Sequence, residues 1–141
     1  MKVSVVSGGF DPIHSGHIAY LNAAKEQGDI LIVALNSDAW LTNKKGQPFM
    51  SFEERKTILE NLSCVDEVIS FADDKLGSCI NALVAIKEKY PKEHIIFCNG
   101  GDRDNSNIAE MSVSGIEFKF SIGGEDKKNS SSWILKNWQG D

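Results

Sequence analysis

Five short apolar runs, separated by stretches of helical length, constrain the fold of this chain more than any other feature. They cover residues 3–6, 30–35, 65–71, 95–98 and 116–122. Runs of this length with little polar alternation suit strands buried on both faces, as in a parallel sheet. The stretches between them carry helix punctuation. A helix over residues 17–27 would be capped by Gly28, Ser51 and Glu54 form a capping box for one running to about residue 62, and Pro91 closes one over residues 76–90. A last helix is expected after Ser130 or Ser131, with Ile134, Leu135 and Trp138 on one apolar face. The alternation predicts an α/β, Rossmann-like domain: a five-stranded parallel sheet, helices on both faces, right-handed crossovers. No repeat, linker or low-complexity tract divides the chain, so a single domain over residues 1–141 is expected.

In such folds ligands bind beyond the carboxyl ends of the strands. The polar stretches 8–17, 36–45, 99–105 and 123–132 all fall there. The first reads Gly8-Gly9-Phe10-Asp11-Pro12-Ile13-His14-Ser15-Gly16-His17. Its glycines let backbone approach a phosphate, and a helix opening near His17 aims unsatisfied N–H groups at the anion. His14 and His17 add donors where phosphate charge collects, Gly16 keeps the approach clear, and Asp11 lies just upstream. A Gly-Gly pair after a strand is also ordinary punctuation, and a single histidine is as often a satisfied core or surface residue.

Lys44 and Lys45 fall in a polar loop, residues 41–47, where a solvated charge is the plain alternative to a phosphate contact. Arg55 is either a site residue or a surface helix residue paired with Glu at helical spacing. Ser130, Ser131 and Ser132 suit a helix N-terminus that binds phosphate, a role compatible with simple capping.

The His14-Ser15-Gly16-His17 segment closely resembles the HxGH motif of the nucleotidyltransferase superfamily, and the likeness extends over nearly the whole chain. Glu53-Glu54-Arg55-Lys56 resembles the family's Glu-x-Arg-Lys helix start. Asn99-Gly100-Gly101-Asp102-Arg103 resembles a segment beside the nucleoside in heptose-phosphate adenylyltransferases, and Ser130-Ser131-Ser132 resembles the second family motif. The resemblance implies catalytic roles for His14, His17 and Lys44. It implies nucleotide contacts for Gly8, Gly9, Phe10, Asp11, Gly16, Gly101, Asp102, Arg103 and the three serines, with Lys45, Arg55 and Lys127 as further candidates. One departure stands out: many relatives place an arginine before the serine motif, where this chain has Gly124-Glu125-Asp126-Lys127-Lys128. Lys127, Lys128 or Arg103 would have to supply that charge.

The implied reaction is attack by an acceptor's phosphate on the α-phosphorus of a nucleoside triphosphate, with pyrophosphate leaving. The substrates would be the triphosphate and a small phosphorylated acceptor. Chain length and the segment 38–56 resemble glycerol-3-phosphate cytidylyltransferase, which favours CMP transfer to an alditol phosphate. Asn36-Ser37-Asp38, Gly100-Gly101-Asp102 and the missing arginine resemble heptose-1-phosphate adenylyltransferases, the alternative. A non-catalytic nucleotide-binding module would keep the same fold, whereas a dinucleotide oxidoreductase is disfavoured because no GxGxxG follows the first strand.

A net charge of −5 argues against broad nucleic-acid or anionic-membrane binding. Cys64, Cys79 and Cys98 have neither CxxC nor Cys/His ligand spacing, so reduced core cysteines, no dedicated metal site and a cytoplasmic location are expected. Magnesium should arrive with the nucleotide. Relatives are commonly dimers, and Trp133, Trp138 and Phe49 suit an interface as well as a core.

Overall fold

The computed structural model describes residues 1–100, 108–123 and 135–136. Five strands, β1 (Lys2–Gly8), β2 (Ile30–Leu35), β3 (Glu67–Ile69), β4 (His94–Cys98) and β5 (Glu117–Lys119), form one sheet in the order β3-β2-β1-β4-β5. Every pairing is parallel. Four helices, α1 (Ser15–Glu26), α2 (Asp38–Lys45), α3 (Phe52–Glu60) and α4 (Ile80–Lys89), and a 3₁₀ turn at Ala109–Ser112 complete the described elements. The chain winds outward from β1 to β3, then returns to the other side of β1 for β4 and β5. That reversal of strand order is where α/β sheets open a ligand crevice.

Alternating side chains of each strand feed two separate cores. Val6, Leu31, Val33, Leu35, Ile96 and Cys98 pack with Leu21 and Ala24 of α1 and Leu59 of α3. Val3, Val5, Ile32, Ala34, Ile95 and Phe97 pack on the opposite face against Ala82, Leu83 and Ile86 of α4. Covering both faces is what makes β2 apolar throughout, and each fully buried Leu, Ile or Phe contributes about 1.5–3 kcal/mol. The sheet and both helical layers are therefore as the alternation predicts, and β2 matches residue for residue.

Several boundaries differ. Residues 41–47, expected as a loop, lie mostly within α2: Ser37 Oγ accepts from Trp40 N at 3.0 Å, Asp38 occupies the first turn, Lys44 and Lys45 the last, and Gly46 ends it at φ +95°. Charges at both ends thus match the helix dipole. The start of α4 is four residues later than expected. Asp74 claims the preceding turn by accepting from Leu76 N and Ser78 N, at 3.0 and 2.8 Å, and from Ser78 Oγ. Helix α1 opens at Ser15 rather than near His17, and α3 stops at Glu60. Only the middle of runs 65–71 and 116–122 pairs as strand, since both form the sheet's edges.

Candidate active site

A cleft of about 570 Å³ opens where β1 and β2 end, lined among others by Gly8, His17, Asn36, Trp40, Lys44 and Glu110. The histidine turn is organised by its own imidazoles. His14 is the N-cap of α1: its Nδ1 accepts from Gly16 N at 3.1 Å, while its backbone N–H donates to His17 Nδ1 at 3.3 Å. Two rings thus form a reciprocal capping box, a task usually given to hydroxyl and carboxylate side chains. Because Nδ1 accepts in both rings, the proton of each neutral imidazole resides on Nε2.

The rings stack at a centroid distance of 3.8 Å and 21° between planes, and Phe10 meets His17 edge-on at 4.9 Å. Burial and the adjacent His14 push the His17 pKa down to about 4, so His17 is neutral at physiological pH. Phe10 adopts φ +50°, a left-handed conformation costing about 1–2 kcal/mol for a residue with a Cβ, and its ring is buried. That conformation turns the chain from Gly9 into the histidine segment. Gly9 packs closely on α2: a Cβ there would lie 2.8 Å from Leu41 Cδ2, so the leucine side chain would have to shift to admit one.

Three of the expected site residues are spent inside the fold. Asp11 is 3% exposed and accepts from Phe49 N at 2.6 Å and Met50 N at 2.7 Å. Lys45 donates to the Asp11 carbonyl at 2.6 Å and pairs with its carboxylate at 2.9 Å, tying the end of α2 to the histidine turn. Arg55, 1% exposed, is no surface residue. Its guanidinium donates to the carbonyls of Met50, Gly9 and Asn36 at 3.0, 3.0 and 2.7 Å and to Asp38 Oδ1 at 2.7 Å. One side chain thereby fixes the ends of β1 and β2, the start of α2 and the approach to α3. Five donors in a planar fork make arginine the residue for such a junction.

Lys44, by contrast, is exposed and lines the cleft, its Nζ 4.8 Å from the centre of the Trp40 ring. Trp40 in turn donates Nε1–H to the Gly77 carbonyl at 2.9 Å and links α2 to the segment before α4. Cys79 and Glu110 also line the cleft, with Cys79 N donating to Glu110 Oε2 at 2.9 Å. Sequence reasoning passed over Glu110; nothing in its local pattern marks a carboxylate that is 3% exposed. Gly101, Asp102, Arg103, Lys127, Ser130, Ser131 and Ser132 lie outside the described residues. Among the described residues no three His, Cys, Asp or Glu converge on a metal-sized point, and no helix is long and apolar enough to cross a membrane. All three cysteines are free and buried.

A doubly covered parallel sheet with neutral imidazoles at the mouth of β1 is the architecture of a nucleotidyltransferase. The sequence model of the cytidylyltransferase-like family matches residues 5–118, and the chain belongs to that family. Among curated proteins, "Bifunctional protein HldE" of Helicobacter pylori is 46% identical over 84 residues, 58% of this chain and 18% of that protein. The Helicobacter hepaticus protein of the same name is 37% identical over 109 residues, 76% of this chain and 21% of that protein. The chain thus spans about a fifth of the length of these relatives.

Two solved structures share the fold. A lipopolysaccharide core biosynthesis protein from Thermoplasma volcanium aligns with a TM-score of 0.67 at 24% identity, covering 89% of this chain and 98% of that one. A bifunctional NMN adenylyltransferase/ADP ribose pyrophosphatase from Francisella tularensis, complexed with AMP and a manganese ion, aligns with a TM-score of 0.70 at 18% identity, covering 99% and 42%.

Proposed function

We propose that this chain transfers an adenylyl group from ATP to the phosphate of a sugar 1-phosphate and releases pyrophosphate. The observation that carries the transferase chemistry is the pair of Nε2–H donors fixed by reciprocal capping at the start of α1, with His17 and Lys44 both lining the cleft. The likeness to HldE favours adenylyl transfer to heptose phosphate over the CMP transfer to an alditol phosphate that chain length suggests.

An acceptor phosphate oxygen attacks the α-phosphorus in line, a new phosphoanhydride bond forms, and the α–β bridging bond breaks with its electron pair leaving on pyrophosphate. Two anions must be brought together, so catalysis is positioning and charge stabilisation. His14 and His17 donate to phosphate oxygens without changing protonation, and Lys44 offsets charge on the acceptor or triphosphate. Asp11, Lys45 and Arg55 hold the turn and α2 at fixed separation. Arg103, Lys127 and Ser130 to Ser132 would hold the leaving group. Magnesium fits as a companion of the triphosphate: Asp11, the carboxylate of the histidine turn, is engaged by Lys45 and two backbone N–H groups rather than offered to an ion. When bound, it would screen phosphate charge. Buried, free thiols and the triphosphate substrate suit the cytoplasm.

The test is pyrophosphate release with ATP, CTP, GTP and UTP against heptose and hexose 1-phosphates, glycerol 3-phosphate, phosphocholine and phosphoethanolamine, with His17→Ala as the blank. Turnover confined to ATP and a sugar 1-phosphate is expected. CTP with glycerol 3-phosphate would overturn the choice of substrates. Triphosphate binding without any turnover would make the chain a binding module.

A further inference from the structure

The cleft carries an unspent polar group besides the histidines and lysines. Asn36 follows β2 directly, is 6% exposed and lines the cleft. Its backbone is fully used: its N–H donates to the Gly8 carbonyl at 3.0 Å, and its carbonyl accepts from Arg55. Its carboxamide has no hydrogen-bond partner among the described residues. The carboxamide, on the lining of an open cleft, is thus available to hydrogen-bond a ligand there.

The same cleft is lined by Glu110, 3% exposed, brought in by the 3₁₀ turn Ala109–Ser112. Its Oε2 holds the Cys79 N–H at the start of α4, and a carboxylate can accept several hydrogen bonds at once. A carboxamide that both donates and accepts, in the same cleft as an acceptor-only carboxylate, complements hydroxyl groups. It does not complement a phosphate, which the carboxylate would repel, or an apolar tail, which would leave both groups without a partner. Trp40 supplies an aromatic surface nearby, bridged to Gly77.

We infer that Asn36 and Glu110 form the subsite that reads the hydroxyl groups of the acceptor, and that they select a polyhydroxylated phosphate over a phosphate with an apolar tail. This rests on the nucleotidyl-transfer reading and names the acceptor side of the same cleft. The donor's phosphates lie at the histidine turn and Lys44, and the acceptor's hydroxyls lie against Asn36 and Glu110. A site that hydrogen-bonds a substrate hydroxyl rejects analogues lacking it far more strongly than an apolar pocket rejects an added hydroxyl, because the protein groups are then left unpaired.

The experiment compares wild type, Asn36→Ala and Glu110→Gln, the last keeping an oxygen for the Cys79 N–H. It measures kcat/KM for glucose 1-phosphate and for ethyl phosphate with a fixed triphosphate, together with calorimetric binding of glucose 1-phosphate and of the triphosphate. Each variant should lower kcat/KM for glucose 1-phosphate by about tenfold or more, weaken its binding, leave ethyl phosphate within about twofold, and leave triphosphate affinity unchanged. Equal losses for both acceptors, or none, would overturn the subsite while the transfer reading stands. Wild type preferring ethyl phosphate would overturn the subsite and the sugar-phosphate reading together. Should wild type bind glucose 1-phosphate without turnover, unaltered binding by both variants overturns the subsite, and weakened binding supports it independently of the reaction.

Discussion

His14 and His17 are parallel partners: their rings stack 3.8 Å apart, and each turns its Nδ1 to a backbone N–H of the same helical turn. The arrangement decides tautomer and orientation before any ligand arrives. Both rings are donors at Nε2, and His17 is held uncharged by burial and by its neighbour. A preorganised neutral donor needs no change of protonation across the reaction, so its contribution should be flat across the neutral range.

His17 should titrate at about 4 in the folded protein, well below the ordinary histidine value of 6.5. The unfolded chain takes up a proton as pH falls through about 6.5, while the native chain resists until about 4. Stability should therefore decline as pH falls between those values and level off below the lower one, as far as this group is concerned. Ring-proton NMR against pH, with urea unfolding at pH 7 and pH 5, checks both statements. A His17 titrating near 6.5 would contradict the packing of Phe10, His14 and His17.

His14 has two separable duties, cap and donor. His14→Ala should cost about 1 kcal/mol of stability through loss of the α1 cap and about a hundredfold in turnover through loss of the Nε2 donor. His14→Asn can accept from the same N–H and should recover most of the stability but little of the rate. Thermal unfolding and pyrophosphate release on the two variants separate the duties. Recovery of both by asparagine would reduce His14 to a helix cap.

Arg55 should behave as the most sensitive structural position among the site candidates. Arg55→Met removes the donors to the carbonyls of Gly9, Asn36 and Met50 and the partner of Asp38. A loss of about 3 kcal/mol or more follows from the unpaired buried carbonyls. Asp38 is half-exposed and can turn to water, so the stranded carboxylate adds little. Arg55→Lys keeps charge but cannot reproduce the fork, and should recover only a minor part. Denaturant midpoints report the order wild type, lysine, methionine.

The sheet was legible because short strand-like runs alternate with segments of helical length, and because the run over residues 30–35 is apolar without a break. The start of α4 was not, because Leu76 fits a helical period; Asp74 and Gly77 claim those residues for a turn, leaving Leu76 73% exposed. Helix α2 was hidden by its polar composition, although Ser37-Asp38 at one end and Gly46 at the other carry both stop signals. At the site, the histidines, glycines and lysines were visible as residue types. What they do locally was not, because Asp11 and Arg55 bond backbone groups 19 to 46 positions away along the chain. No local pattern encodes a junction of carbonyls.

The two neighbouring lysines provide the sharpest separation of scaffold from site. Lys45 is half-buried and bonded to both the carbonyl and the carboxylate of Asp11, whose side chain is 1% exposed. Lys45→Met leaves that carboxylate with its two backbone donors but without a counter-ion, and should cost about 1–3 kcal/mol of stability. Lys44 touches only the Trp40 face among the contacts described, an exposed cation–π pair worth about 0.5–1 kcal/mol. Lys44→Met should therefore unfold within a few degrees of wild type, yet lose tenfold or more in kcat/KM, about 1.4 kcal/mol of transition-state stabilisation. Its kcat should fall more than its KM rises if the ammonium acts on charge that develops at the phosphates. Thermal unfolding and steady-state kinetics on both variants decide the matter. A Lys44→Met enzyme with unaltered kinetics would move phosphate stabilisation away from α2 altogether, onto the histidine turn alone.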